Sequence, residues 1–265
     1  MENPMKARRL ALVAGIVLAT SLLGVAAVGA TNTSESDAET ELEATLSGLN
    51  EVAAGDPDGS GRVDVDVDVD GVEVCWKISV RDIATATAAH IHKEAIGVNG
   101  LVVIDFAGKL RGCTTMAAPL AAALAATPQD YYVNVHNPDF PGGAIRGQLR
   151  GEEADEVELQ ARLRGANEVT GGDGDGSGSF DADLAGTLIC WKFRERNVAP
   201  ITARHIHLGA AGVNGGVVVG FGNQARGCRD ITAVLASAIT ANPSGYYTNI
   251  HNADHPGGAL RGQLG

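Results

Sequence analysis

The chain has 265 residues, with 32 Asp and Glu against 20 Lys and Arg, which gives a formal net charge of −12. This acidic balance argues against nucleic acid as a partner, because the backbone phosphates would repel the protein. The 35 glycines and the low aromatic content of 4% favour short strands joined by tight turns over a helical bundle.

A positively charged start and a long apolar run open the chain. Three basic residues precede an uncharged stretch at 10–30, which ends in small residues that suit a signal peptidase. We therefore predict that residues 1–30 are a signal peptide, while the run is also long enough to be a membrane anchor. Either alternative makes the remainder extracellular, secreted or at the cell surface, with the membrane contacted only through this segment.

The rest of the sequence consists of a short polar segment and two tandem copies of one unit. Residues 31–40 are polar and acidic without apolar periodicity, and they predict a flexible stalk. The two copies follow at 41–150 and 158–265, and we call them repeat one and repeat two. Most landmarks of repeat one recur 115 positions later, and a short charged linker at 151–157 joins the copies. Each copy has the size of a small domain.

Alternating apolar and polar residues predict strands in each repeat. In repeat one, valines alternate with aspartates at 63–70, a period of two with one solvated face. Further strands are predicted at 72–80, 87–92, 101–106, 131–136 and 144–150. The motif GVNG at 97–100 predicts a hairpin turn. Alanine- and leucine-rich stretches at 115–126 and 230–241 predict one helix per repeat. The predicted fold class is all-β, mainly an antiparallel β-sandwich, with one short helix in each of two tandem domains.

Each repeat contains two cysteines separated by 38 positions, and no C-x-x-C spacing occurs. In an exported chain this pattern predicts one disulfide per repeat, Cys75 with Cys113 and Cys190 with Cys228. Closing a loop of that length stabilises a small domain by roughly 4 kcal/mol in the chain-entropy model. Metal-binding thiolates are the alternative, and the spacing disfavours them.

Polar side chains recur at alternate positions of three predicted strands, so those of each strand share one of its faces. The motifs are H-I-H at 90–92, Y-Y-V-N-V-H at 131–136 and R-G-Q at 146–148. If these strands are neighbours, one sheet face collects His90, His92, Asn134, His136, Arg146 and Gln148. The equivalent set of repeat two is His205, His207, Asn249, His251, Arg261 and Gln263.

Three imidazoles that converge from two strands can bind a metal ion, and copper and zinc are the candidate cofactors. Repeat two adds His255, where repeat one has Phe140, so the two sets differ. The alternative is that these polar groups join the strands and the P-G-G loop by hydrogen bonds, or form a solvated patch. Likewise, Arg146 and Arg261 either close a loop by bonding main-chain carbonyls or bind an anion.

The sequence contains none of the common hydrolase motifs. It lacks G-x-S-x-G and H-E-x-x-H, and every cysteine is assigned to a predicted disulfide. We therefore expect a non-enzymatic binding or structural protein whose partner is an unidentified extracellular protein or surface ligand. A surface contact through the aspartates at 64–70 is a further hypothesis.

Two long segments carry a family resemblance. They are A-H-I-H-x-x-x-x-G-V-N-G-x-V-V and Y-Y-V-N-V-H-N-P-D-F-P-G-G-A-I-R-G-Q-L, each with a copy in repeat two. Together they resemble the chordin-type domain, CHRD, over nearly the whole of both repeats, which implies an extracellular β-rich module. Growth-factor binding of the chordin kind is not implied, because the cysteine-rich repeats of chordin are lacking. The position after P-G-G, often glutamate in the family, is Ala144 and Ala259 here.

Overall fold

The computed structural model describes residues 39–151 and 156–265. The predicted signal or anchor segment at 1–30 and most of the predicted stalk at 31–40 therefore lie outside the described residues. The first strand begins at Glu39, two residues before the predicted start of repeat one. No helix within the described ranges is both long enough and apolar enough to cross a bilayer.

Repeat one consists of nine strands and one α-helix. In chain order these are β1 (Glu39–Ser47), β2 (Ser60–Asp68), β3 (Glu73–Arg81), β4 (Ala88–Lys93), β5 (Leu101–Asp105), β6 (Arg111–Thr115), α1 (Ala118–Ala126), β7 (Tyr131–His136), β8 (Ile145–Gln148) and β9 (Arg150–Gly151). Short 3-10 helices follow β1 at Gly48–Asn50 and precede β7 at Pro128–Asp130. The strands form one antiparallel sheet in the order β5-β4-β7-β8-β1-β2-β3-β6, with β9 beside β1.

Repeat two has the same architecture. Its elements are β10 (Glu156–Arg164), β11 (Ser177–Ala185), β12 (Leu188–Arg196), β13 (Ile201–Leu208), β14 (Val217–Gly220), β15 (Arg226–Asp230), α2 (Ala233–Ala241), β16 (Tyr246–Asn252) and β17 (Leu260–Gln263). Two 3-10 helices lie at Gly165–Asn167 and Pro243–Gly245. The strand order, β14-β13-β16-β17-β10-β11-β12-β15, matches that of repeat one. The predicted class, an antiparallel β protein of two tandem domains with one short helix each, is confirmed.

Each sheet curls over a single core. The valines of β2 at 63, 65 and 67 are fully buried, whereas the aspartates between them are at least partly exposed, as the period of two predicts. Trp76 on β3 stacks on Phe106, directly after β5, with ring centroids 4.2 Å apart. Because β3 and β5 lie near opposite ends of the strand order, this contact requires the sheet to fold back on itself, which gives a sandwich-like layer packing.

The two predicted disulfides are present, so no thiolate is left to bind a metal. Cys75 pairs with Cys113 and Cys190 with Cys228, each with a Cα–Cα distance of 4.0 Å. The partners face each other on neighbouring strands, β3 with β6 and β12 with β15. Strands β6 and β15 were not predicted from the sequence.

The helices are shorter than predicted. They begin at Ala118 and Ala233 instead of at positions 115 and 230, because Thr115 and Asp230 end strands β6 and β15. The composition predicted helix at Thr115 and Asp230, but these residues pair with β3 and β12 close to the disulfides and therefore belong to the sheet.

The prediction that the Asn-Gly pair of GVNG at 97–100 forms a hairpin turn is wrong. The residues between β4 and β5 form a longer loop at 94–100, whose tight turn closes earlier, where the Val98 N–H donates to the Ala95 carbonyl at 3.2 Å. Gly97 supplies the positive φ of 79° that this turn needs. Gly100 is required for another reason, because a Cβ there would collide with the Lys93 carbonyl.

The two repeats belong to one compact unit and touch through β15 of repeat two. The Asp230 carboxylate oxygen Oδ2 accepts 2.9 Å hydrogen bonds from the Asn50 side chain and from the Gln148 main-chain N–H. The Asp230 N–H in turn donates to Asn50 Oδ1 at 2.9 Å. Leu49 packs against the core of repeat two, and Gln224 donates to the Pro57 carbonyl. A buried aspartate therefore forms the centre of the contact between the repeats.

Burial raises the pKa of Asp230 to about 6, against the opposing influence of the hydrogen bond from the Gln148 N–H and of the charges of Arg150, Arg229 and Arg146. The folded chain therefore favours the protonated carboxyl. The protonated Asp230 carboxyl contributes its full stabilisation below pH 3.8, the pKa of the unfolded aspartate. This stabilisation is lost as the pH rises through 6.

Relative to Asp230→Asn, the wild-type free energy of unfolding should accordingly fall by about 2.5 kcal/mol between pH 4 and pH 7. Urea unfolding of both proteins across this range measures the difference. Parallel pH profiles for the two proteins would contradict the prediction.

Candidate metal centre

The polar residues predicted to cluster lie on one face of the sheet in each repeat. Strand β7 lies between β4 and β8, and the antiparallel register sets the polar residues side by side. Two cross-strand rows result in repeat one, the first of His90, Asn134 and Arg146 and the second of His92, Tyr132 and Gln148. The equivalent rows in repeat two are His205, Asn249 and Arg261, then His207, Tyr247 and Gln263. The opposite face carries apolar residues, such as Ile91 and Val133, into the core.

Three imidazoles converge in each repeat. Each of His90, His92 and His136 offers a ring nitrogen, and these atoms lie within 4.8 Å of one another; His205, His207 and His251 do the same. His255 lies outside the second set, in the P-G-G loop, where its N–H donates to Asn252 Oδ1 at 2.7 Å. Both repeats thus present the same three-histidine arrangement, and the additional histidine of repeat two is not part of it.

Main-chain carbonyls fix the tautomers of two imidazoles in each repeat. In repeat two, His207 Nδ1 lies 3.0 Å from the Gly215 carbonyl and His251 Nδ1 lies 3.0 Å from the Pro256 carbonyl. Because a carbonyl can only accept, each Nδ1 carries the proton and each Nε2 keeps its lone pair. Both Nε2 atoms, and Nδ1 of His205, are buried without a hydrogen-bond partner among the described residues.

Repeat one repeats this arrangement with one difference. His92 Nδ1 faces the Gly100 carbonyl at 3.1 Å and His136 Nδ1 faces the Pro141 carbonyl at 3.0 Å. Here, however, His90 Nδ1 lies 3.2 Å from His136 Nε2, so that a proton joins the two rings. Asp105 also lies 3.7 Å from His90 Nε2, whereas repeat two has Gly220 at the corresponding position.

Burial keeps most of these imidazoles neutral. It lowers the pKa of His205 to about 4, with His251 and His207 acting in the same direction. The pKa values of His92, His136 and His207 are also lowered, in each case mainly by burial. A neutral imidazole is the form that binds a metal ion.

A buried arginine holds the loop that covers this face. Arg146 is 2% exposed, and its Nη2 donates to the carbonyls of Ala95 at 3.1 Å and Val98 at 2.7 Å. Its guanidinium carbon lies 3.3 Å from the ring centroid of Tyr132, whose hydroxyl accepts from the Gly100 N–H at 3.0 Å. Of the two predicted roles of Arg146, loop closure is therefore the observed one.

A partly buried glutamate on the same face was missed by sequence reasoning. Glu51 Oε1 accepts from Asn134 Nδ2 at 2.8 Å, and burial raises the pKa of Glu51 to about 7, while Arg146 opposes the shift. Gly143 of the P-G-G loop, with φ of 136°, leaves room for both groups, since a Cβ there would lie 2.5 Å from Asn134 Nδ2. Glu168 repeats this arrangement with Asn249 at 2.9 Å. The recurring Asn-Glu pair at 50–51 and 167–168 was the available signal.

The fold and this face define a class, that of antiparallel β proteins in which tandem domains each present a three-histidine cluster. A family model described as CHRD domain matches residues 42–149 and 159–264. The chain therefore belongs to the CHRD domain family, as the H-I-H, Y-Y-x-N-x-H and P-G-G-x-x-R-G-Q-L elements predicted. No curated protein and no solved structure matches the chain significantly.

Proposed function

We propose that the chain is an exported, non-enzymatic metal-binding protein in which each CHRD domain binds one copper or zinc ion through three histidines. In repeat one the ligands are His90, His92 and His136. In repeat two they are His205, His207 and His251. The observation that carries the proposal is the pair of buried Nε2 lone pairs of repeat two, each on a ring whose other nitrogen is bound to a main-chain carbonyl.

This second interaction is the usual support of a metal-binding histidine, because it orients the ring and fixes the tautomer. The distances also suit a metal. Two nitrogens bound to zinc at tetrahedral angles lie about 3.3 Å apart, so nitrogens within 4.8 Å need only small ring movements. The alternative, a purely structural cluster, leaves the buried His251 Nε2 and His205 Nδ1 without a hydrogen-bond partner among the described residues, which is costly.

The chemistry of the ligands narrows the choice of metal. Imidazole suits copper and zinc, whereas carboxylate and carbonyl oxygens suit magnesium and calcium. Three protein ligands leave a coordination position for water or an external ligand. Placement outside the cytoplasm is supported by the two disulfides, which persist in an oxidising compartment.

Titration of the metal-stripped, untagged protein with Cu(II) and with Zn(II) tests the proposal. We expect two ions per chain for at least one of these metals. A metal ion at one hundred times its dissociation constant should stabilise the fold by about 2.7 kcal/mol, which raises the melting temperature by several degrees. A chain that binds neither metal and melts at the same temperature with and without them would falsify the proposal.

A further inference from the structure

The contact between the repeats shows how a CHRD domain recognises an aspartate. The side-chain amide of Asn50 bonds Asp230 twice, because its Nδ2 donates to the carboxylate and its Oδ1 accepts from the main-chain N–H, both at 2.9 Å. The Gln148 N–H adds a third hydrogen bond at 2.9 Å. Asn50 therefore binds both the side-chain carboxylate and the main-chain N–H of one residue. This arrangement favours an aspartate within an extended chain over a small-molecule carboxylate, which has no such N–H.

Repeat two has the same groups beside an open cleft. The cleft has a volume of about 410 Å³, and its lining includes Asn167, Gln263 and Arg261, the counterparts of Asn50, Gln148 and Arg146. Asn167 Nδ2 donates to the Arg261 carbonyl at 2.9 Å, as Asn50 Nδ2 does to that of Arg146, also at 2.9 Å. The two amides are therefore anchored alike, and the exposed Asn167 has the orientation that Asn50 uses to bind Asp230.

A second copy of this chain does not offer the matching aspartate at the equivalent edge. Strand β15 reads Arg-Gly-Cys-Arg-Asp at 226–230, whereas β6 reads Arg-Gly-Cys-Thr-Thr at 111–115. Asp230 itself is buried against repeat one, and Thr115 is exposed. Head-to-tail self-association through this contact thus lacks its central carboxylate, which favours another protein over a second copy as the occupant.

We propose that the cleft between the 3-10 helix at 165–167 and β17 binds an aspartate at the end of an exposed edge strand of another protein, as repeat one binds Asp230. The inference rests on comparing the two repeats and is independent of metal binding. The cleft keeps Arg261, but Gly265 replaces Arg150, and Ala166 replaces Leu49. With one cation and one apolar contact fewer, it should bind more weakly than the internal site does.

The chain itself supplies a probe for this cleft. Substituting Thr114→Arg and Thr115→Asp gives β6 the sequence of β15, and adding Asn167→Ala prevents this donor from binding to itself. Mixed with the wild-type chain as acceptor, the donor should form a one-to-one complex, with a dissociation constant measured by sedimentation velocity. An acceptor with Asn167→Ala should bind at least 10-fold more weakly.

An acceptor with Asn167→Asp provides a second variant of similar size, and its carboxylate should repel the probe. Circular dichroism and thiol titration establish that each variant is folded with both disulfides closed. If the folded donor and the wild-type acceptor stay monomeric up to millimolar concentration, the cleft does not bind an edge-strand aspartate. Equal binding to the wild-type, Asn167→Ala and Asn167→Asp acceptors would likewise overturn the proposal.

Discussion

Replacing His207 by glutamine is expected to lower the affinity of repeat two for its metal ion by about 1000-fold and to reduce the stoichiometry from two ions per chain to one. Glutamine keeps a polar side chain of similar length but has no imidazole Nε2. Loss of an outer-shell partner already costs 10- to 100-fold in affinity, so loss of one of three ligands should cost more. Isothermal titration with Cu(II) and with Zn(II) measures both quantities.

His255 provides the matched control, because it belongs to the same repeat but lies outside the cluster of converging nitrogens. The substitution His255→Gln should leave affinity and stoichiometry unchanged. His92→Gln should remove the ion of repeat one and leave that of repeat two in place. If His207→Gln binds two ions with wild-type affinity, or if His255→Gln behaves like His207→Gln, these three histidines are not the ligands.

The two histidine clusters should differ in their affinity for the metal ion. In repeat one a metal ion must displace the hydrogen bond between His90 Nδ1 and His136 Nε2, 3.2 Å apart, before both rings can bind it. In repeat two the corresponding nitrogens are buried without a hydrogen-bond partner in the described part of the chain. Because the hydrogen bond in repeat one must be broken first, repeat two should fill first in a titration of the wild-type chain.

The histidine cluster could be predicted from the sequence because alternation alone decides which residues share a face of a strand. Once β4, β7 and β8 are neighbours, His90, His92 and His136 must lie together on the sheet. The strands themselves were predictable wherever apolar residues alternate, as in β2. The disulfides followed from the number and spacing of the cysteines in a chain with an export signature.

The roles of Glu51 and Asp230 could not be predicted, because they depend on contacts between residues far apart in the sequence. Glu51 reaches Asn134 across 83 positions, and Asn50 reaches Asp230 across 180. Asp230 has no counterpart in repeat one, where Thr115 occupies its position, so the internal repeat gave no signal for it. Its alanine-rich surroundings predicted a helix, whereas pairing with β12 makes it the end of a strand.

Replacing Arg261 by alanine is expected to destabilise repeat two by about 4 to 5 kcal/mol. Arg261 is 1% exposed, and its guanidinium donates to Asn214 Oδ1 at 3.1 Å and to the carbonyls of Ala210 at 2.9 Å and Val213 at 2.7 Å. Hydrogen bonds from a charged group contribute roughly 1.5–3 kcal/mol each, and the contact with the Tyr247 ring is lost as well. Arg194→Ala, which removes an exposed ion pair with Asp181, should cost less than about 1 kcal/mol.

The same loop connects Arg261 to the metal centre, which gives this prediction a second readout. The loop at 209–215 contains the Gly215 carbonyl that fixes the tautomer of His207. Arg261→Lys keeps the charge but not the planar set of donors, so the loop should loosen and the metal affinity of repeat two should fall by 10- to 100-fold. Repeat one, whose loop is held by Arg146, should keep its affinity. A stable Arg261→Lys variant with unchanged binding would show that the arginine does not orient the metal-binding histidine.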